Sequence, residues 1–278
     1  MLQTTRPMSH SRKQRLQTLT VPLNALYARF NQRQFVYPDP LAPLYDFSDP
    51  GDQEVVGLIT ATLAFGNVKQ ILKSIDVVLQ NFPDPARSLK DMPNRIILKR
   101  LTGFRHRYVA EQEMASLLAG IREALREHDA IGHCFGALDD SHTPTIVPTL
   151  TRFVHFLQHH GTVEKNYLLP DPDRGSACKR WFMYLRWMVR QDDVDLGHWA
   201  HLGAHRLVIP VDTHMQRVAR GMYLSRRKAA DLKTALEITE AFRVICPEDP
   251  VRYDFCLTRL GIRDDGDMDG FLKSLKTR

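Results

Sequence analysis

The chain has 278 residues and 43% hydrophobic content, enough for one large domain or two small ones around a real core. A formal charge of +6 and a pI of about 9.2 favour a polyanionic partner without identifying it. No apolar run is long enough to span a bilayer, and the scattered cysteines Cys134, Cys178, Cys246 and Cys256 argue against a zinc ribbon or a closely spaced iron–sulfur loop, reading instead as reduced thiols of a cytosolic protein.

The first twenty residues are rich in Arg, Ser and Thr and read as a flexible basic arm, with a single helical domain over 21–278. Pro22 to Phe30 is a short helix, followed by an extended lip at Tyr37-Pro38-Asp39-Pro40, where proline forbids helix. Asp52 suits an N-cap, and Val55, Ile59 and Leu63 recur on one face. Gly66-Asn67 then interrupts the pattern, predicting two helices that meet at a corner, the second over 68–80. Further helices are expected at 94–101, 111–128, 147–159, 175–190, 212–222, 228–244 and 249–260. Alternating apolar strands are absent from the sequence, so the fold class is all-α, built as two packed helical lobes with the active elements near 165–225.

Two residues stand out chemically. Lys179 follows Gly175, Ser176 and Ala177 at a helix start, inside a stretch containing Arg174, Arg180, Arg186 and Arg190 and no acid. A lysine set against aromatic side chains and near other cations can act as a nucleophile, or it can simply bind phosphate. Asp212 follows the extended piece Val208-Ile209-Pro210-Val211 and begins a helix. There it either serves as an ordinary N-cap or offers a fixed anion to a developing positive charge.

The run Ile209-Pro210-Val211-Asp212-Thr213-His214-Met215-Gln216-Arg217-Val218-Ala219-Arg220 resembles the signature of the helix-hairpin-helix DNA glycosylase superfamily, in which the aspartate is catalytic. Glu54–Asn67 is similar to that family's early helix pair, and Gly103-Phe104-Arg105-His106-Arg107-Tyr108-Val109 resembles its Gly-Tyr-Arg-x-Arg-Tyr segment. The order of these pieces also matches, over residues 50–260. One departure is plain: the usual Leu-Pro-Gly-x-Gly hairpin is replaced by Leu169-Pro170-Asp171-Pro172-Asp173-Arg174-Gly175. The long interval from Lys179 to Asp212 is similar to the archaeal 8-oxoguanine glycosylase branch, and the whole looks like a bacterial family of glycosylase-like proteins.

The resemblance implies an all-α fold with a modified hairpin, Lys179 and Asp212 as catalytic residues, and no metal or organic cofactor. It implies double-stranded DNA with a flipped, oxidised base as the partner, 8-oxoguanine being one candidate, handled by a monomer in the cytoplasm at the nucleoid. A non-catalytic lesion-binding protein of the same fold is the alternative. Contacts to DNA are then expected from Arg174, Gly175, Ser176, Arg180, Arg186, Arg190, His214, Arg217, Arg220, Arg105 and Arg107, with Asn67 at the corner filling the gap left by the base. Phe65, Trp181, Asp254 and Phe255 are candidates for the base pocket, and Trp187 is a further stacking candidate. Asp254 would need a partner if buried, and Arg252 and Arg259 are the nearest in sequence.

Overall fold

A computed structural model describes residues 8–263 and 265–275, and these are predominantly helical. In chain order come α1 (His10–Gln17), α2 (Thr20–Phe30), α3 (Pro50–Leu63), α4 (Val68–Asn81), α5 (Pro85–Lys90), α6 (Asn94–Arg100) and α7 (Glu111–His128). There follow α8 (Ile131–Ala137), α9 (Val147–His160), α10 (Lys179–Val189), α11 (Thr213–Gly221), α12 (Leu232–Ile245), α13 (Asp254–Ile262) and α14 (Met268–Ser274). A two-stranded antiparallel ribbon, β1 (Arg105–His106) with β2 (Val109–Ala110), is the sheet among the described residues.

α3 sits at the centre. Every residue from Gln53 to Leu63 is buried, as expected of a helix apolar nearly all round. Its four buried polar side chains are satisfied, Thr60 and Thr62 by donating to the Val56 and Ile59 carbonyls within the helix. Gln53 donates to the carbonyls of Leu44 and Phe47, while the Glu54 carboxylate accepts from the Gly132 amide at 3.0 Å and the Trp199 indole at 2.7 Å. The N-cap is Asp49, which accepts from the Asp52 amide with Pro50 at the first position, not Asp52 as its place in the sequence suggested. Asp52 instead accepts from the Ala86 amide at 2.8 Å, holding the start of α5.

The corner falls where the sequence put it. α3 ends at Leu63, Gly66 turns the chain at φ 107, and Asn67 caps α4 by accepting from the Lys69 amide at 3.0 Å. α10 lies against α3, and α7 packs with α5, α6, α8 and α9. Gly120 permits the α7–α9 approach, since a Cβ there would sit 2.7 Å from the Leu157 carbonyl oxygen. On the other side α13 packs on α2 and α11, and α1 packs on α12.

That last contact corrects the expected arm. Residues 1–7 lie outside the described residues, but from His10 the segment is helical, and Leu16 and Leu19 are buried in the core. The Arg-rich composition hid a short apolar stripe that α12 covers.

Candidate active site

Lys179 is the first residue of α10, and the chain reaches it through two tight turns. Asp171 caps a 3-10 turn at Pro172–Arg174, Gly175 follows at φ 74, and Cys178 takes φ 48 immediately before the lysine. The buried Trp181 indole donates to the Pro170 carbonyl at 3.0 Å, pinning the start of α10 to this loop. On the facing segment, Ile209 and Val211 are buried, and the Ile209 amide donates to the Thr239 hydroxyl at 3.0 Å. This anchoring fixes Asp212 as the N-cap of α11, where its Oδ1 accepts from the Met215 amide at 2.8 Å.

The two residues meet. Lys179 Nζ lies 2.9 Å from Asp212 Oδ2, with the two side chains 37% and 35% exposed. Burial pushes the Asp212 carboxyl up, but the Lys179 ammonium, the Met215 amide and His214 outweigh it and hold it below the usual carboxylate range. One oxygen therefore serves the helix, and the other holds the amine.

The pair opens into a cavity of about 930 Å³. Phe65, Met183, Trp187, Phe255 and Thr258 contribute to its wall, and Tyr37, Pro38, Asp39 and Pro40 form its lip. Asp254 belongs to the same wall and is buried. Its partner is Arg186, not Arg252 or Arg259. Burial raises the Asp254 carboxyl and Arg186 draws it back, while Asp212 adds a further upward push. Arg259 pairs with Asp39 of the lip, and Arg252 lies over the Tyr27 ring. The Trp187 indole N–H is buried beside the cavity without an acceptor among the described residues.

Several expected phosphate contacts are placed elsewhere. Arg186 bonds Asp195 and Asp254, and Arg190 bonds Asp192, Asp195 and Asp249; both guanidiniums are about 5% exposed and face inward. Two of the acids that neutralise them, Asp192 and Asp195, follow just beyond the helix, and the other two, Asp249 and Asp254, come some sixty residues later. Arg180 braces the fold, donating to the carbonyls of Thr62 at 2.6 Å and Tyr167 at 2.7 Å and lying over the Phe65 and Tyr167 rings. Trp181 is buried against Phe153, away from the cavity wall, and Trp187 occupies the wall instead.

The replaced hairpin is also committed internally. The Gly175 amide donates to the Pro172 carbonyl, the Gly175 carbonyl accepts from Leu232, and Ser176 bridges Asp231. Ser176 Oγ accepts from the Cys178 amide at 3.3 Å. His214 approaches the Leu257 carbonyl at 3.4 Å and packs on Gly261, joining α11 to α13. Arg217 is exposed and pairs with Asp269 at 2.7 Å. Arg220, Arg105, Arg174 and Asn67 are exposed, and the Arg107 guanidinium covers Gly66 at the cavity rim.

His155, Asp171 and Asp173 bring a ring nitrogen and two carboxylates within 4.8 Å of one another beside the replaced hairpin. His155 already bonds Asp171 at 3.2 Å, and the Arg174 guanidinium stands 4.0 Å from the same carboxylate. Cys134, Cys178 and Cys256 are free and buried, and burial raises the Cys134 and Cys178 thiols to about 12, which removes them as nucleophiles. No helix among the described residues is long and apolar enough to cross a membrane.

Residues 39–263 match the family model described as "Protein of unknown function (DUF2400)". No curated protein and no solved structure matches the chain.

Proposed function

We propose, for a chain that belongs to the DUF2400 family, a DNA glycosylase with associated lyase activity, acting on a flipped, oxidised base such as 8-oxoguanine. One observation carries the reading: an amine and a carboxylate 2.9 Å apart, both half-open, at the mouth of a cavity of about 930 Å³. That size lies within the range of pockets that enclose a small organic group.

In this reading duplex DNA lies across the exposed Arg105, Arg107, Arg174, Arg217 and Arg220, with Asn67 at the corner. The helices around α7 form one lobe and those around α13 the other, with the cavity between them. The extruded base stacks between Phe65, Trp187 and Phe255, each stacking contact contributing roughly 1–3 kcal/mol. Asp254, held by Arg186, accepts hydrogen bonds from the base edge.

Asp212 takes a proton from the Lys179 ammonium, and the free amine attacks C1′ of the deoxyribose. The glycosidic bond breaks and its electron pair leaves with the base, which is protonated as it departs. Asp212 passes its proton to that base, and the carboxylate so restored stabilises the positive charge that develops on the sugar. Ring opening then gives a Schiff base at C1′. Loss of a C2′ proton expels the 3′ phosphate by β-elimination, and water releases Lys179. Neither metal nor organic cofactor is needed for these steps.

Borohydride reduction tests this directly, because it traps the Schiff base as a secondary amine. The expected result is a covalent adduct on duplexes carrying 8-oxoguanine or an abasic site, absent in Lys179→Gln. Tight binding with neither adduct nor base release on any lesion overturns the catalytic reading in favour of a lesion-binding protein. The internally paired Gly175 and Ser176 are the observation that favours that second reading, since their backbone groups are turned to the protein.

A further inference from the structure

A second cavity, of about 490 Å³, opens between α1, α12 and the turn that follows α11. Its charged lining is Arg12, Arg15 and Arg226 against the single acid Glu237. Arg12 is fixed in place, donating to the Leu224 carbonyl at 2.8 Å and standing 3.9 Å from Glu237. The Arg15 guanidinium carbon lies 4.1 Å above the Tyr223 ring. Arg226 is exposed at the edge.

Tyr223 itself is unusual. It follows Met222, the C-cap of α11, at φ 59, a left-handed conformation that glycine and asparagine adopt far more readily, and the residue is 45% exposed. A strained residue, an arginine held over its ring and two further guanidiniums thus converge on one concavity whose charge is one-third neutralised.

We propose that this cleft is a phosphate-binding site. Guanidinium groups bind phosphate oxygens in pairs, and a stacked arginine presents its fork with little further ordering. Arg12 and Glu237 form the fixed side, and Arg15 and Arg226 supply the contacts. The phosphate belongs to a nucleic-acid strand. α11 is nine residues long, which sets the cleft about 13 Å from Asp212 along the helix, or about four nucleotide steps along a duplex at 3.4 Å each. The site does not depend on the chemistry at Lys179.

The test uses the full chain and an undamaged 25-base-pair duplex, with binding followed by fluorescence anisotropy over a range of salt concentrations. In the Arg15→Gln/Arg226→Gln double variant the slope of log Kd against log salt is expected to become shallower by about one unit, the effect of one lost phosphate contact. Tyr223→Gly, which fits φ 59 without strain, is expected to melt no lower than wild type and still to bind more weakly.

Calorimetric titration with inorganic phosphate and a nucleoside monophosphate runs beside it and separates the two sources. A shallower slope supports the strand. An unchanged slope with loss of the phosphate isotherm in the double variant supports the site but assigns it to a free phosphorylated molecule. Unchanged slope and unchanged phosphate binding in a normally folded double variant overturn the proposal. Because the slope is read on undamaged DNA, failure to trap an adduct at Lys179 would leave this result standing.

Discussion

The two ends of α10 use the same residue types for opposite purposes. At its start a single lysine faces a single aspartate, both more than a third exposed, with a cavity beside them. Near its end Arg186 and Arg190 share Asp195 and bond three further carboxylates, all within the interior or at its edge. A half-open pair can exchange its proton and its partner, whereas the buried network spends nearly all its hydrogen bonds on itself, one Asp249 oxygen excepted. Burial and stoichiometry, not the presence of opposite charges, distinguish the reactive end from the structural one.

Each end of α10 can be cut separately. Lys179→Gln should lower adduct formation by about 10³-fold or more, equivalent to about 4 kcal/mol of barrier, and barely move the melting temperature. Arg190→Met leaves Asp195 and Asp249 short of a partner. A loss of about 3–5 kcal/mol is expected, seen as a melting temperature lower by roughly ten degrees. Equal stability losses in the two variants would erase the distinction drawn here.

Acid titration sharpens it next. Burial raises the Asp192 carboxyl, yet Arg190, the amides of Asp195 and Val194, and the Tyr27 hydroxyl bring it down from 3.8 to about 2. A depressed carboxylate contributes stability above its unfolded value and loses it as pH falls through the folded one. The contribution, on the order of 2 kcal/mol, is therefore complete above about pH 5 and gone near pH 1. Urea midpoints of Asp192→Asn should lie below wild type at pH 7 and approach it as the pH nears 2.

The smallest effect separates the two duties of Asp212. Asp212→Asn keeps the cap on α11, while Asp212→Ala removes it at a cost of about 1 kcal/mol, readable in chemical denaturation. Both should lose the assistance given to Lys179, so equal activity in the two variants with unequal stability is the expected pattern.

Local patterns made much of the fold legible. The α3–α4 corner at Gly66-Asn67, α7 at Glu111–His128 and the cap at Asp212 each rest on signals contained in a few neighbouring residues. What escaped depends on distant partners. α1, α5, α8 and α14 are short and gain their stability from the helices they pack on, so their periodicity is too brief to read. Arg186 and Arg190 looked like a basic face because Asp249 and Asp254 come some sixty residues later, and because Asp192 and Asp195 fold back on them from the loop just past the helix. Lys179 and Asp212 could be paired through the resemblance of their motifs, but the lip at Tyr37-Pro38-Asp39-Pro40 gave no sign that it would border their cavity.

Gly261 has a mechanical consequence. A Cβ there would fall 1.7 Å from the His214 ring, so any larger residue on α13 would push the imidazole of α11 off the Leu257 carbonyl. Asp212 begins one of these helices and Asp254 the other. The two acids are thereby carried on a single cooperative unit, and slow amide exchange should rise and fall together along both helices.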